Sequence, residues 1–170
     1  AEARAFLRAR GIMRKHWRAA NIHAAVTGYY AGRVIVPHEE FDAESWWGFT
    51  GRLITNATQD PAHVVEAALL DQWPEPPKVL YPRGMDRTRL YNEFALDVVT
   101  DEPVIVVEGC LDAVWYLPDV VACLGKPTHA HFDKLCDVKR PVCICLDGDA
   151  WEEGRALSYR LRMPALPLQQ

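Results

Sequence analysis

The sequence predicts two structural classes in one chain, a mixed α+β amino-terminal part followed by a parallel α/β sheet. From residue 92 onwards, short apolar runs alternate with helical patterns in the order βαβαβ, which specifies parallel strands joined by right-handed crossovers. The runs 103–107 and 141–146 are continuously apolar, and Pro and Gly flank them, as is typical of buried parallel strands. The earlier residues instead show a hairpin pattern between helical segments, which predicts a mixed arrangement there.

The amino-terminal part contains helical and strand patterns in alternation. The predicted elements are short helices within 2–20 broken near Gly11, a strand at 33–37, its hairpin partner at 46–54 across the acidic loop 38–45, a helix at 61–72, and a strand at 78–81. The helix at 61–72 has Asp60 as its N-cap and Pro61 at its first position.

The carboxy-terminal part has the regular strand–helix rhythm of a parallel sheet. The predicted elements are helix 92–99, strand 103–107, helix 111–117, strand 120–124, helix 128–136, strand 141–146 and helix 151–161. A boundary therefore falls near residues 92–102. We therefore divide the chain into subdomains 1–95 and 96–170.

Four acidic side chains, Glu108, Asp112, Asp147 and Asp149, follow the two most apolar strands. In open α/β sheets the carboxyl ends of the strands form the ligand crevice, so we expect these carboxylates to converge. Several negative charges in one space need a hard cation, and carboxylate oxygens suit Mg²⁺ or Mn²⁺. The alternative is that each acid only caps the helix that follows its strand.

The charge is distributed unevenly along the chain, although its net value is only −4. Residues 1–37 carry a single acid, Glu2, and seven basic side chains: Arg4, Arg8, Arg10, Arg14, Lys15, Arg18 and Arg33. A basic segment next to an acidic segment that is expected to bind a cation favours a polyanionic ligand. A solvated, arginine-rich helix face is the alternative interpretation.

Several function classes are excluded by composition. No apolar stretch is long enough to span a bilayer, and the charged opening lacks the apolar core of a secretory signal, so we expect a cytoplasmic protein without membrane partners. The five cysteines form no Cys-x-x-Cys pair, so we expect no zinc site in this chain.

The acidic motifs resemble those of a known domain family. The similarity lies in Glu108-Gly109-Cys110-Leu111-Asp112, in 122–125 and in Asp147-Gly148-Asp149. Together these segments resemble the topoisomerase–primase (TOPRIM) domain, which supplies an acidic Mg²⁺ site to primases, topoisomerases and some nucleases.

The segments that precede the acidic motifs indicate which kind of TOPRIM-containing protein the chain resembles. The segments concerned are 6–12, 34–37, 48–52, 77–80 and 90–92, in that order. They are similar to the amino-terminal half of the RNA polymerase domain of DnaG-type primases. The resemblance therefore covers essentially the whole chain, and the shared order of the motifs is its most specific feature.

What the resemblance implies is synthesis of short RNA primers on single-stranded DNA from ribonucleoside triphosphates, with a replicative helicase as a further partner. By position, Glu108, Asp112, Asp147 and Asp149 would hold two divalent ions, Mg²⁺ or Mn²⁺. Glu108, Asp147 and Asp149 would be catalytic, and spacing does not separate a ligand role of Glu108 from a role as base. The family's basic residues map onto Arg10, Arg52 and Lys78, which would bind nucleotide and template. The resemblance thus implies that 1–95 is a basic subdomain that binds nucleic acid or nucleotide and that 96–170 is a metal-binding, catalytic subdomain.

The chain departs from the family pattern in several places. The zinc module and the helicase-contacting segment have no counterpart, as in an isolated core or a reduced phage or mobile-element version. A third acidic pair would fall beyond Gln170, and Lys126-Pro127 replaces small hydroxyl residues. Two other functions therefore remain open: a TOPRIM-type Mg-dependent nuclease, and a non-catalytic module that docks DNA or a helicase.

Overall fold

A computed structural model describes residues 1–40, 45–54 and 76–161 of the chain. The chain divides into two compact units, Ala1–Pro37 with Phe49–Pro82, and His38–Gly48 with Arg83–Gln170. The predicted helix at 61–72 lies outside the described residues. Within the described ranges, no helix combines the length and apolar character needed to cross a bilayer. The functional division at residue 95 stays a prediction.

The first unit opens with two short helices, α1 (Glu2–Ala9) and α2 (Arg14–Ala19). Phe6 and Leu7 of α1 are buried, as is Ile12 in the turn between the helices. Gly11 in that turn has a φ of 73°, a conformation that glycine adopts without strain. The predicted break near Gly11 is therefore present.

A four-stranded sheet follows, in the spatial order β1-β2-β3-β4. Its strands are β1 (His23–Ala25), β2 (Arg33–Glu39), β3 (Trp46–Leu53) and β4 (Val79–Leu80). The pairs β1–β2 and β3–β4 are antiparallel. The sheet has the antiparallel character that the hairpin pattern predicts for the α+β part. β1 is an additional strand without a counterpart in the predicted elements.

A buried arginine anchors the sheet of the first unit. Nη1 of Arg33 donates to the backbone oxygens of Gly51, at 3.2 Å, and Lys78, at 3.4 Å. Burial lowers the pKa of Arg33, and the nearby Tyr29 and Tyr30 oppose that shift. The carbonyl of Lys78 also accepts the N–H of Leu53 at 2.9 Å. These bonds fix the backbone at the start of β4.

The second unit is built on a parallel three-stranded sheet in the order β6-β5-β7. Its strands are β5 (Val104–Val107), β6 (Val120–Ala122) and β7 (Val142–Ile144). Ile105 lies opposite Val120 on one side and Cys143 on the other. Placing β5 between its two partners requires crossover connections. The parallel sheet predicted from the βαβαβ pattern is thus confirmed.

Helices connect and follow these strands. They are α3 (Cys110–Ala113), α4 (His129–Cys136) and α5 (Trp151–Leu161), with 3₁₀ helices at Glu93–Asp97 and Gly148–Ala150. Val104 and Val106 of β5 are fully buried and pack in one core with Leu135 and Leu157. Burying such a side chain stabilises the fold by roughly 1.5–3 kcal/mol.

Two predicted helices differ from the structure. The segment 92–99 forms a five-residue 3₁₀ helix, and α3 ends at Ala113 instead of residue 117. Asn92 explains the first difference, because its φ of 56° is left-handed and its Nδ2 donates to the carbonyls of Pro118 and Val120 at 2.8 and 2.7 Å. These tertiary bonds determine the local conformation more strongly than helix propensity does.

Arg140 holds the amino-terminal ends of the three parallel strands. Its side chain is fully buried, and it donates to the carbonyls of Glu102 (2.8 Å) and Pro103 (3.3 Å) before β5. It also binds Oδ1 of Asp119, immediately before β6, at 2.8 Å. Since Arg140 itself lies two residues before β7, one guanidinium links all three strand starts.

A buried histidine lies in an aromatic and cationic cluster in the second unit. The ring of His38 is 4.7 Å from that of Trp47 and 5.5 Å from that of Tyr91. Arg89 packs over Trp47 at 4.5 Å and binds both carboxylate oxygens of Glu40 at 2.8 and 2.9 Å. Burial, and secondarily Arg89, lowers the pKa of His38 from 6.5 to about 3. His38 is therefore neutral in the folded protein near neutral pH.

The low pKa of His38 predicts acid-sensitive folding. Between its unfolded pKa of 6.5 and its folded pKa of about 3, the unfolded chain binds more protons, so stability falls as pH is lowered. We expect a loss of up to about 1.4 kcal/mol per pH unit below 6.5 from this residue. Urea denaturation at pH 7.0, 6.0 and 5.0 measures the slope.

The substitution His38→Phe should flatten that slope, because no proton can bind at this position in either state. His129→Gln is the matched control, since His129 is exposed. If both variants keep the wild-type slope, His38 is not the source of the pH dependence.

Candidate metal centre

The candidate site forms where β5 and β7 end. Val106 lies opposite Ile144, and the N–H of Cys145 donates to the carbonyl of Val106 at 2.8 Å, which continues the pairing beyond β7. Glu108 comes directly after β5, and Asp147 comes two residues after Cys145. Because parallel neighbours end at the same edge of a sheet, both acids lie at that edge.

Three carboxylates form a compact group at this edge. One oxygen each from Glu108, Asp147 and Asp149 lies within 4.8 Å of the other two. The backbone N–H of Asp147 donates to Oε1 of Glu108 at 3.2 Å, which orients the Glu108 side chain toward the β7 end. Glu108 is half-buried, whereas Asp147 and Asp149 are exposed. We call Glu108, Asp147 and Asp149 the acidic triad.

The electrostatics of the acidic triad follow from burial and like charge. Burial raises the pKa of Glu108, the charges of Asp147 and Asp149 raise it further, and the hydrogen bond from Asp147 opposes both. A raised carboxyl pKa means that the ionised form is disfavoured at this place. An added cation would relieve that penalty.

Helix capping does not account for Asp147. Asp147 precedes the 3₁₀ helix Gly148–Ala150 at the N-cap position but makes no side-chain capping hydrogen bond. The N-cap of α3 is Gly109, also without a side-chain cap. The capping interpretation that the sequence left open therefore has no support in the hydrogen bonding at Asp147.

Asp112 is not a member of the acidic triad. It sits in α3, and a Cβ atom at position 109 would lie 2.5 Å from its Oδ2. Gly109 leaves the space that the Asp112 carboxylate occupies beside the backbone at the end of β5. The described structure does not bring Asp112 into the group of three, and its role as a metal ligand stays a prediction.

Lys126 is a neighbouring residue that the sequence reasoning treated only as a departure from the family. Its Nζ donates to the backbone oxygen of Asp149 at 3.1 Å and to Oε1 of Glu153 at 3.2 Å. Its charge lowers the pKa of Glu108 slightly against the larger raising effects. No sequence motif identified Lys126, because its position beside the acids results only from the fold.

The donor set of the acidic triad fits a divalent metal ion. All three donors are carboxylate oxygens, which hard cations prefer. Oxygens bound to one Mg²⁺ are about 2.9 Å apart when adjacent and about 4.1 Å apart when opposite, so the three oxygens, which lie within 4.8 Å of one another, need side-chain rotations to share one ion. The two exposed aspartates are free of the packing that would prevent such a rotation.

The three predicted basic residues all belong to the first unit. Arg52 lies in β3 opposite Val79, and Lys78 directly precedes β4, so the two are on neighbouring strands. The Lys78 side chain is exposed, while Arg52 is half-buried. Arg10 follows α1 and packs over the ring of Phe6 at 5.1 Å. Their binding of nucleotide or template stays a prediction.

Comparison with known proteins gives one informative similarity. No protein-family model and no curated protein matches the chain. A solved structure of the DnaG catalytic core is similar, with a TM-score of 0.61 and 22% sequence identity over 93% of this chain and 57% of that chain. The chain therefore has a DnaG-core-like fold and spans little more than half of that structure.

The acidic triad predicts opposite effects of one substitution on metal binding and on stability. Asp147→Asn should weaken Mn²⁺ binding at least about tenfold, because a charged ligand is lost. It should also raise the unfolding free energy of the metal-free protein by up to about 1 kcal/mol, since like-charge repulsion falls and these groups are exposed. Calorimetric titration and urea denaturation in EDTA measure the two effects.

Two further variants serve as controls for this prediction. Asp101→Asn removes an exposed carboxylate outside the acidic triad and should leave Mn²⁺ affinity unchanged. Asp112→Asn should affect Mn²⁺ binding less than Asp147→Asn does. Equal Mn²⁺ affinity in the wild type and Asp147→Asn would contradict the ligand assignment.

Proposed function

We propose that the chain is the catalytic core of a DNA primase, which synthesises short RNA primers on single-stranded DNA. The observation that carries the proposal is the acidic triad at the carboxyl edge of the parallel sheet. The similarity to the DnaG catalytic core supports it at the level of the fold. The TOPRIM-like motifs around Glu108 and Asp147 are consistent with the same function.

In this proposal Glu108, Asp147 and Asp149 hold one or two divalent ions, Mg²⁺ or Mn²⁺, and Asp112 is a fourth candidate ligand. Two bound ions supply charge stabilisation to the attacking and leaving oxygens of an in-line displacement at phosphorus. Glu108 is also the candidate acceptor for the proton of the attacking 3′-hydroxyl. The hydrogen bond from the Asp147 N–H keeps the Glu108 carboxylate directed toward the other two acids.

The basic residues of the first unit are proposed to bind the polyanionic ligands. Lys78 has an exposed ammonium group on a backbone that Arg33 and Leu53 fix by hydrogen bonds. A cation on a fixed backbone loses less entropy when it binds a phosphate than one on a mobile loop. Arg10 and Arg52 are assigned to the same task, and single-stranded DNA and ribonucleoside triphosphates are the proposed ligands.

Primer synthesis on a single-stranded template tests the central proposal. With all four ribonucleotides and Mg²⁺ or Mn²⁺, the wild type should form short RNA products. Asp147→Asn should reduce synthesis by about 100-fold or more, because the charge stabilisation of the transition state is lost. Template binding in EDTA should remain nearly unchanged, since the acids do not bind DNA.

The same assay separates the alternatives. Cleavage of a labelled single strand without extension would identify a metal-dependent nuclease instead. Binding of DNA with neither extension nor cleavage, and without Mn²⁺ binding, would identify a docking module. Asp101→Asn should retain full primer synthesis, and its failure would show that the loss in Asp147→Asn is not specific to the acidic triad.

Lys78 offers a separate test of template binding. Lys78→Ala should weaken binding of single-stranded DNA several-fold and reduce the slope of log K against log salt by about 0.7, the value expected for one lost phosphate contact. Fluorescence anisotropy at several salt concentrations measures the slope. Lys139→Ala, which removes another exposed lysine, should keep the wild-type slope. Identical slopes in the two variants would refute the contact at Lys78.

A further inference from the structure

The first unit contains a cavity whose lining residues have no role in the proposed function. Its volume is about 700 Å³, and residues of α1, α2 and the segment leading into β1 line it. Ligand pockets in proteins typically measure about 300–1,000 Å³, so the cavity is large enough for a nucleotide. All of its lining residues lie in Ala1–Pro37, so the cavity belongs to the first unit alone.

The charge of the cavity wall is positive. Arg4, Arg14 and Arg18 line it, and no carboxylate does. Within the described ranges, none of these three guanidinium groups forms an ion pair with an acid. Three arginines on one wall would repel each other, and an anionic ligand would neutralise them. Guanidinium groups also match the geometry of phosphate oxygens.

Part of the remaining cavity wall is apolar, and this restricts the chemical class of the ligand further. Trp17 and Ile22, both half-buried, provide an apolar and aromatic surface in the same cavity, and the buried Leu7 lies at its wall. Nε1 of Trp17 is buried without a hydrogen-bond acceptor in the part of the chain that is described. Arg4 lies over the Trp17 ring at 5.7 Å, which joins the cationic and aromatic parts. A ligand that fits must combine an anion with a flat or apolar group.

We propose that this cavity binds a nucleoside phosphate, with the phosphate on Arg4, Arg14 and Arg18 and the nucleoside against Trp17 and Ile22. The ligand is either a free nucleotide or one nucleotide of a single strand, since both offer the same chemistry. An inorganic anion would leave the apolar wall uncovered, and an acidic peptide lacks the flat base. The site is independent of the acidic triad and requires no metal.

Binding in EDTA tests the proposal without involving the acidic triad. The probes are AMP, adenosine, inorganic phosphate, a short oligothymidylate and an oligoglutamate peptide. The indole N–H resonance of Trp17, assigned with Trp17→Phe, should shift on addition of AMP or oligothymidylate and not with the other three. A shift with AMP indicates a free nucleotide, and a shift with oligothymidylate alone indicates a strand.

Paired variants separate the cavity from general electrostatic attraction. Arg14→Ala with Arg18→Ala should weaken nucleotide binding at least about tenfold, because charge-assisted bonds are lost. Arg8→Ala with Lys15→Ala removes the same charge from exposed positions on the same two helices that do not line the cavity. Circular dichroism checks that both double variants keep the fold.

Three outcomes would overturn the inference. These are equal losses in the two double variants, equal shifts with oligoglutamate or inorganic phosphate, and no shift of the Trp17 resonance with any nucleotide. Asp147→Asn should keep full nucleotide binding in EDTA. The primase proposal can therefore fail in the synthesis assay while this site is confirmed, and the reverse can also occur.

Discussion

The parallel pairing of β5 with β7 is the constraint on which the candidate metal centre depends. It places the ends of two strands at one edge, so that three carboxylates approach within 4.8 Å although their charges repel each other. Burial of Val104 and Val106 stabilises the central strand and offsets that repulsion. The acids are therefore held together by the apolar sheet and not by attraction among themselves.

Opposite charges lie at opposite ends of the same three strands. Arg140 links the strand starts through the carbonyls of Glu102 and Pro103 and the carboxylate of Asp119, while the acidic triad lies where β5 and β7 end. A buried guanidinium with several acceptors fixes strand register, since a shifted strand would leave its donors unsatisfied. Register at the amino ends in turn determines where Glu108 and Asp147 meet.

The sequence predicted features that depend on local pattern and missed those that depend on tertiary hydrogen bonds. Apolar runs and helical periodicity predicted the parallel sheet, and α5 has the predicted bounds, Trp151–Leu161. The left-handed conformation of Asn92 is held by tertiary hydrogen bonds to the carbonyls of Pro118 and Val120, which no local pattern encodes. His131 is another buried residue held by such contacts: its ring accepts the N–H of Thr128 and lies 3.0 Å from the Arg87 carbonyl.

The acidic triad was predictable because strand ends are visible in the sequence, but its charge balance was not. Lys126 lies beside the acidic triad, yet Glu153 already pairs with it, and burial and like charge still raise the pKa of Glu108. A fold that needed only stability would gain by replacing one of these acids with a neutral residue. The excess negative charge, at a sheet edge where ligands bind, therefore supports a role in holding a divalent cation.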